Sequence, residues 1–187
     1  MSTAITSWFS AWRHYHRGDR EGAGSAARRV LELTKDHGVW GWDNIEIVLL
    51  WANTNRLLAS HVLSELQSRM LASGAAQNWR NAFCLSVLAR LYSEAGNPEA
   101  GITVLDAIPP DARSGIYAAE LRRLEGELQL QASPSSTESS ERDFFDGLTL
   151  TRERQEKSLE LRIATSLASL WHNIGKKDDA RALLAPV

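Results

Sequence analysis

His14 and His16, Cys84, and the carboxylates Glu141, Asp143 and Asp146 are the residues whose types first suggest chemistry. Imidazole, thiolate and carboxylate are the groups that ligate metals and move protons. Their spacing supports neither role. His14 and His16 lie two apart, so on a helix they point to different faces, and the other histidines are distant in sequence. Glu141, Asp143 and Asp146 read as the solvated first turn of a helix, where carboxylates suit the macrodipole. Cys84 sits in N-A-F-C-L-S-V-L-A, an apolar run that predicts an inert core thiol. Gly175-Lys176 lacks the upstream glycine and the Ser/Thr of a phosphate loop, and no strand precedes Gly22-Ala23-Gly24. Arg28-Arg29 and Arg122-Arg123 are short basic pairs that read as solvated helix faces. No catalytic, cofactor-binding or metal-ligating residue is therefore assigned, and the expectation is a protein that is not an enzyme.

The elements around these residues must come from a chain of 187 residues, 43% of them hydrophobic, which is enough for a substantial buried core. Charge is balanced at a formal −2, which argues against general nucleic-acid binding. A single cysteine excludes a disulfide within the chain. The first residues, M-S-T-A-I-T-S-W-F-S-A-W-R, lack the pattern of a signal peptide. The longest apolar run, Ile47 to Ala52, is too short to span a bilayer. A cytoplasmic protein with no membrane association is expected. Seven tryptophans suggest large buried anchors, aromatic groove walls, or both.

One phrase occurs three times, as H-R-G-D-R-E-G-A (16–23), E-A-G-N-P-E-A-G (94–101) and N-I-G-K-K-D-D-A (173–180). Its glycines, Gly18, Gly96 and Gly175, are 78 and 79 residues apart, about twice 39. A period in that range marks stacked helical hairpins. Apolar residues recur at helical spacing throughout, and no strand-like alternation is found. Five hairpins and ten helices are predicted, over about 3–38, 41–74, 76–110, 114–157 and 158–187. Asp19, Asp43 and Asn97 are candidate caps, Gly38 and Gly74 close helices, Pro98 fits a first helical turn, and Pro109-Pro110 is a hard stop. The fourth hairpin starts near Ser114. Its stretch S-P-S-S-T-E-S-S-E (133–141) reads as a mobile inter-helix loop, with the second helix resuming at Phe144.

These residues resemble tetratricopeptide repeats, in which an aromatic near the end of the first helix precedes the turn glycine. Ala89, Tyr92 and Gly96 fit that pattern, as do Ala168, Trp171, Gly175 and Ala180. In the first repeat His14 stands where an aromatic is usual. The stretches 73–101, 118–131 and 158–187 are similar to the C-terminal repeat region of large bacterial signalling proteins. Those proteins carry a cyclase or transcription-regulator domain and an NTPase domain ahead of the repeats. Neither catalytic sequence is present here, so neither activity carries over. Relatives of that type continue past A-P-V, which leaves open whether this chain is a piece of a longer protein.

The resemblance implies an all-α, right-handed superhelix whose first helices line a concave groove. Laid over each hairpin, it turns Trp8, Trp12 and Tyr15, then Trp51 and Asn55, then Arg90 and Glu94 inward. Arg123 and Glu127 follow, and then Ser169, His172 and Asn173. The implied function is non-catalytic binding of a protein or peptide partner in that groove, in bacterial signalling or transcription regulation. Two alternatives stand beside it. A small-molecule sensor would require Trp12 and Trp51 to face each other across a pocket. Self-assembly, as a homodimer, would use the apolar C-terminal end at Leu183, Leu184 and Val187. Trp8 and Trp12 also fit a plain core role, since aromatics at helical spacing usually pack inward.

Overall fold

A computed structural model describes residues 2–35, 45–54, 60–72 and 79–185. Among these the chain is all helix, with eleven helices and no strand. They are α1 (Ser2–His16), α2 (Arg20–Lys35), α3 (Glu46–Asn53), α4 (Ser60–Ala72), α5 (Trp79–Glu94) and α6 (Pro98–Asp106). The one-turn α7 (Pro110–Arg113) is followed by α8 (Ala118–Ala132), α9 (Thr137–Glu153), α10 (Lys157–Asn173) and α11 (Lys177–Leu184). Antiparallel neighbours pack in sequence order, the arrangement of a helical-hairpin superhelix. Asp43, Asn55, Gly38, Gly74 and the final Pro186-Val187 lie outside the described residues.

The thrice-repeated phrase turns out to be one backbone device used three times. Gly18, Gly96 and Gly175 have φ of +71°, +76° and +87°, a region open to glycine at no steric cost. Each closes its helix with a Schellman pair, shown by Gly18 N–H to Tyr15 C=O (2.9 Å) and Asp19 N–H to His14 C=O (3.0 Å). The same pair recurs at Gly96-Asn97 and Gly175-Lys176. At the first two of these turns the next helix then opens on a side-chain cap. Asp19 Oδ1 accepts from Gly22 N–H at 2.9 Å, and Asn97 Oδ1 accepts from Ala100 N–H at 3.2 Å with Pro98 in the first turn.

Three boundaries differ from the sequence expectation. Pro110 does not only stop a helix; it opens the short α7, because a proline lacks the N–H that a first turn leaves unused anyway. Helix α9 starts at Thr137, so the connection after α8 is four residues, 133–136, and Ser140 is buried within helix. The stretch reads as loop in sequence because its serines and glutamates carry no apolar period, yet Glu138 suits a helical first turn. A fourth Schellman turn ends α9 at Gln155, whose φ is +56°. With no glycine to announce it, sequence pattern passes over it.

The core is continuous from α1 to α8, with a second cluster of Ala119, Phe144, Leu148, Ile163, Leu167 and Leu170 joining α8, α9 and α10. Cys84 is buried, and burial pushes its thiol up to about 12, as expected of an inert core cysteine. Close approach between α8 and α9 depends on Gly126. A Cβ there would lie 2.6 Å from Phe144 Cε1, and Phe144 is fully buried, so its ring has nowhere to swing. Gly126→Ala is expected to cost about 1–3 kcal/mol through overpacking. A urea denaturation midpoint checks this, and an unchanged midpoint would mean that α9 slides to make room.

Candidate interaction cleft

Helices α5, α8 and α10 each carry an arginine followed four residues later by a polar partner: Arg90 and Glu94, Arg123 and Glu127, Arg162 and Ser166. An i, i+4 pair lies on one face of a helix, so each pair forms a rung on its own helix. Arg90 Nε donates to Glu94 Oε1 at 3.0 Å, and Arg123 Nη1 bonds Glu127. On α10 Ser166 Oγ donates across to Glu127 Oε1 at 2.6 Å.

Behind the rungs lies a buried ionic centre. Glu120 is only 1% exposed and accepts both Nε and Nη2 of Arg123, at 2.9 and 2.8 Å. Arg162 Nη2 adds a third bond at 3.0 Å. Burial works against the Glu120 carboxylate, but Arg123 and Arg162 outweigh it and hold the group well below the usual range. Arg162 Nη1 also reaches His16 Nδ1 at 2.5 Å. A guanidinium only donates, so Nδ1 accepts and the ring proton sits on Nε2, which is buried with no partner among the described residues.

A second network surrounds Trp51. Glu94 accepts from Trp51 Nε1 at 3.4 Å and from Arg20 Nη2 at 3.2 Å. Arg20 Nη1 donates to the carbonyls of Trp51 and Thr54, which covers the C-terminal end of α3. The guanidiniums of Arg20 and Arg90 lie 4.6 and 5.4 Å from the Trp51 ring centroid.

Between the last turn of α1 and helices α5, α8 and α10 these side chains leave an open cleft of about 560 Å³. His16, Arg17 and the three rungs form its walls, with Leu124 and Leu128 between them. Of the residues expected to turn inward, Arg90, Glu94, Arg123 and Glu127 line this cleft together. Trp8, Tyr15 and Trp51 are instead core, at 2%, 0% and 1% exposure, because their rings interlock edge-on with one another and with Phe83. Trp12 is half-buried against His16 and Tyr117. Ser169, His172 and Asn173 line a separate hollow of about 400 Å³ against α11. Asn55 lies outside the described residues.

No family model matches the chain, and no curated protein matches it.

Glu120, Arg162, Ser166 and Arg20 are not marked by the sequence pattern, and His16, weighed there only as a metal ligand, joins them here. For Arg162 and Ser166 a fainter signal is present, since R-x-x-x-E at 90–94 and 123–127 returns as R-x-x-x-S at 162–166. Two of the three carboxylates at 141–146 have structural partners. Glu141 accepts from Trp171 Nε1 at 2.5 Å and Lys176, and Asp143 accepts from Gln129 and Arg122. His14 bonds Asp19 at 2.7 Å in the first turn, away from His16. Among the described residues no cluster of three or more such groups is arranged to hold a metal ion, and no helix is long and apolar enough to cross a membrane.

His16 gives the cleft a pH dependence. Burial, with Arg162, Arg123 and Arg90 nearby and only Glu120 opposing, lowers it from 6.5 to about 4. The unfolded chain then binds a proton that the folded one refuses, so stability falls as pH drops from about 6.5 to about 4 and levels off below. The loss amounts to about 3 kcal/mol. Glu120 begins to contribute only below its ordinary value of 4.5, a lower window. Urea denaturation at stepped pH should show the decline, and His16→Gln should flatten it between those two values. An equally steep limb in that variant would assign the effect elsewhere.

Proposed function

We propose that this chain is a non-catalytic interaction module of tetratricopeptide type. A short segment of a partner protein seats in the concave cleft between α5, α8 and α10. The observation that carries the reading is the cleft itself, open yet walled by side chains already fixed to one another. Arg123 is held by Glu120 and Glu127, Arg90 by Glu94, and Ser166 by Glu127. A surface with its rotamers already set loses little entropy when a partner arrives. The resemblance to repeat regions of bacterial signalling proteins supports a sensing or scaffolding role beside a regulatory domain, acting in the cytoplasm.

A tryptophan-lined sensor pocket has less behind it. Trp51 packs on Tyr15 at 4.7 Å, and Trp12 packs on His16 and Tyr117, so the two indoles do not face each other across open space.

Leu161 offers a clean test, since it lines the cleft and is 48% exposed. A partner captured from lysate by the wild type, identified and then purified, should bind wild type directly and bind Leu161→Asp at least about tenfold more weakly, a change of about 1.4 kcal/mol. Helical content should be the same in both. Equal binding to the two proteins would move the docking surface off this cleft.

A further inference from the structure

Arg162 Nη1 donates to His16 Nδ1 at 2.5 Å, and among the described residues this is the one hydrogen bond between α1 and α10. The two helices belong to different parts of the core. Trp8, Ala11 and Tyr15 of α1 lie in the first cluster, whereas Ile163, Ala164, Leu167 and Leu170 of α10 lie in the second. Helix α8 connects the clusters, with Leu121, Leu124 and Leu128 in one and Ala119 in the other. We infer that the bond is an acid-released clasp: a proton on His16 frees the end of α1 from α10 and widens the cleft, with every helix still formed.

A guanidinium only donates, so the bond exists only while Nδ1 carries no hydrogen. Protonation puts hydrogens on both ring nitrogens, and two donors then meet at contact distance. Nε2 gives no relief, since it is buried without an acceptor among the described residues. Charge acts in the same direction. Arg90 from α5, Arg123 from α8 and Arg162 from α10 face the ring, and Glu120 from α8 is the carboxylate that opposes them. On α1 itself Tyr15 lies against the ring and Arg17 follows it at the edge of the cleft. Glu94 and Glu127 line the same cleft but are bonded to Arg90 and Arg123. A charged imidazole therefore enters a cluster whose carboxylates are already taken.

The clasp parts on its α1 side, because Arg162 keeps a second bond to Glu120 through Nη2 at 3.0 Å. His16, Arg17 and Arg162 all line the cleft, so its width at that edge follows the clasp. Closed, the ring resists protons down to about 4; released into water it takes them up from about 6.5. The open form therefore gains on the closed one by up to about tenfold for each pH unit that falls between those values, and by nothing further above or below them.

Spin labels attached through Arg13→Cys and Ser169→Cys, at exposed sites on α1 and α10, read the separation in the whole chain. Cys84 is buried and stays unlabelled. Dipolar distances and circular dichroism are taken on the same samples, because local opening and unfolding take up the same proton. As pH falls below about 6.5, the wild-type pair should show a longer distance that gains on the shorter by up to about tenfold per pH unit, with the helical signal unchanged. His16→Gln, whose amide oxygen still accepts from Arg162 but takes no proton, should keep the short distance throughout. Arg162→Met, which removes the bond, should show the longer distance already at neutral pH. A single short distance in wild type at every pH overturns the clasp. A longer distance that grows equally in His16→Gln assigns the opening to carboxylates and overturns it too. So does a short distance in Arg162→Met, which would mean that packing alone holds the helices together, and so does lengthening that comes only with loss of helix.

Discussion

Glu120→Ala is expected to lower the unfolding free energy by about 3–5 kcal/mol. The reason is the pair of arginines it would strand. Arg123 is 6% exposed and Arg162 is partly buried; each donates to Glu120, and Arg123 does so with two nitrogens. Without the carboxylate two guanidiniums face each other inside the wall, short of solvent and mutually repelling. Glu120→Gln should recover only part of the loss, since it restores shape without charge. The contrast is Arg152, half exposed and paired with Glu160 at 3.0 Å, whose truncation should cost less than about 1 kcal/mol. Denaturation of the three variants at neutral pH decides the matter. A Glu120→Ala cost as small as the Arg152 one would mean that water enters and solvates the two arginines.

Trp51→Ala should cost a similar amount, about 3–5 kcal/mol, for a different reason. The indole is 1% exposed, so its removal opens a cavity between α1, α3 and α5. It also strips Tyr15 of an edge-on neighbour at 4.7 Å, Arg20 and Arg90 of a ring to lie over, and Glu94 of a donor. Trp51→Phe should lose much less, because a ring remains to fill the space. A double-mutant cycle with Arg20→Met separates the parts: the coupling between Arg20 and Trp51 should be favourable and of order 1 kcal/mol. A coupling near zero would reduce Trp51 to volume alone.

The fold was legible because glycine announces its own conformation. Gly18, Gly96 and Gly175 each mark a positive φ, and their even spacing discloses the hairpins. Gln155 performs the same turn in silence, and α9 could not be bounded from its serines and glutamates for want of an apolar period. The cleft was legible only in part. Arg90, Glu94, Arg123 and Glu127 follow from laying one repeat over the next, since they share a helix face. Which aromatics line a groove and which fill a core depends on how neighbouring helices close over them, and Trp8, Tyr15 and Trp51 were sealed by that closure. Glu120 sits one turn before the rung it supports and is buried, though nothing in its sequence neighbourhood distinguishes it from an exposed glutamate. Its partners come from α8 and α10, a convergence that only three dimensions bring about.

The bond from Arg162 to His16 joins residues 146 positions apart. A string of hairpins in which each touches only the next can fray from either tip, and its tips need not know of each other. Here the first helix is tied to the last hairpin but held there through a wall that the middle hairpins build. That bond opposes fraying of the first helix independently of the last hairpin, so the array is expected to unfold more cooperatively than a string of hairpins that touch only their neighbours.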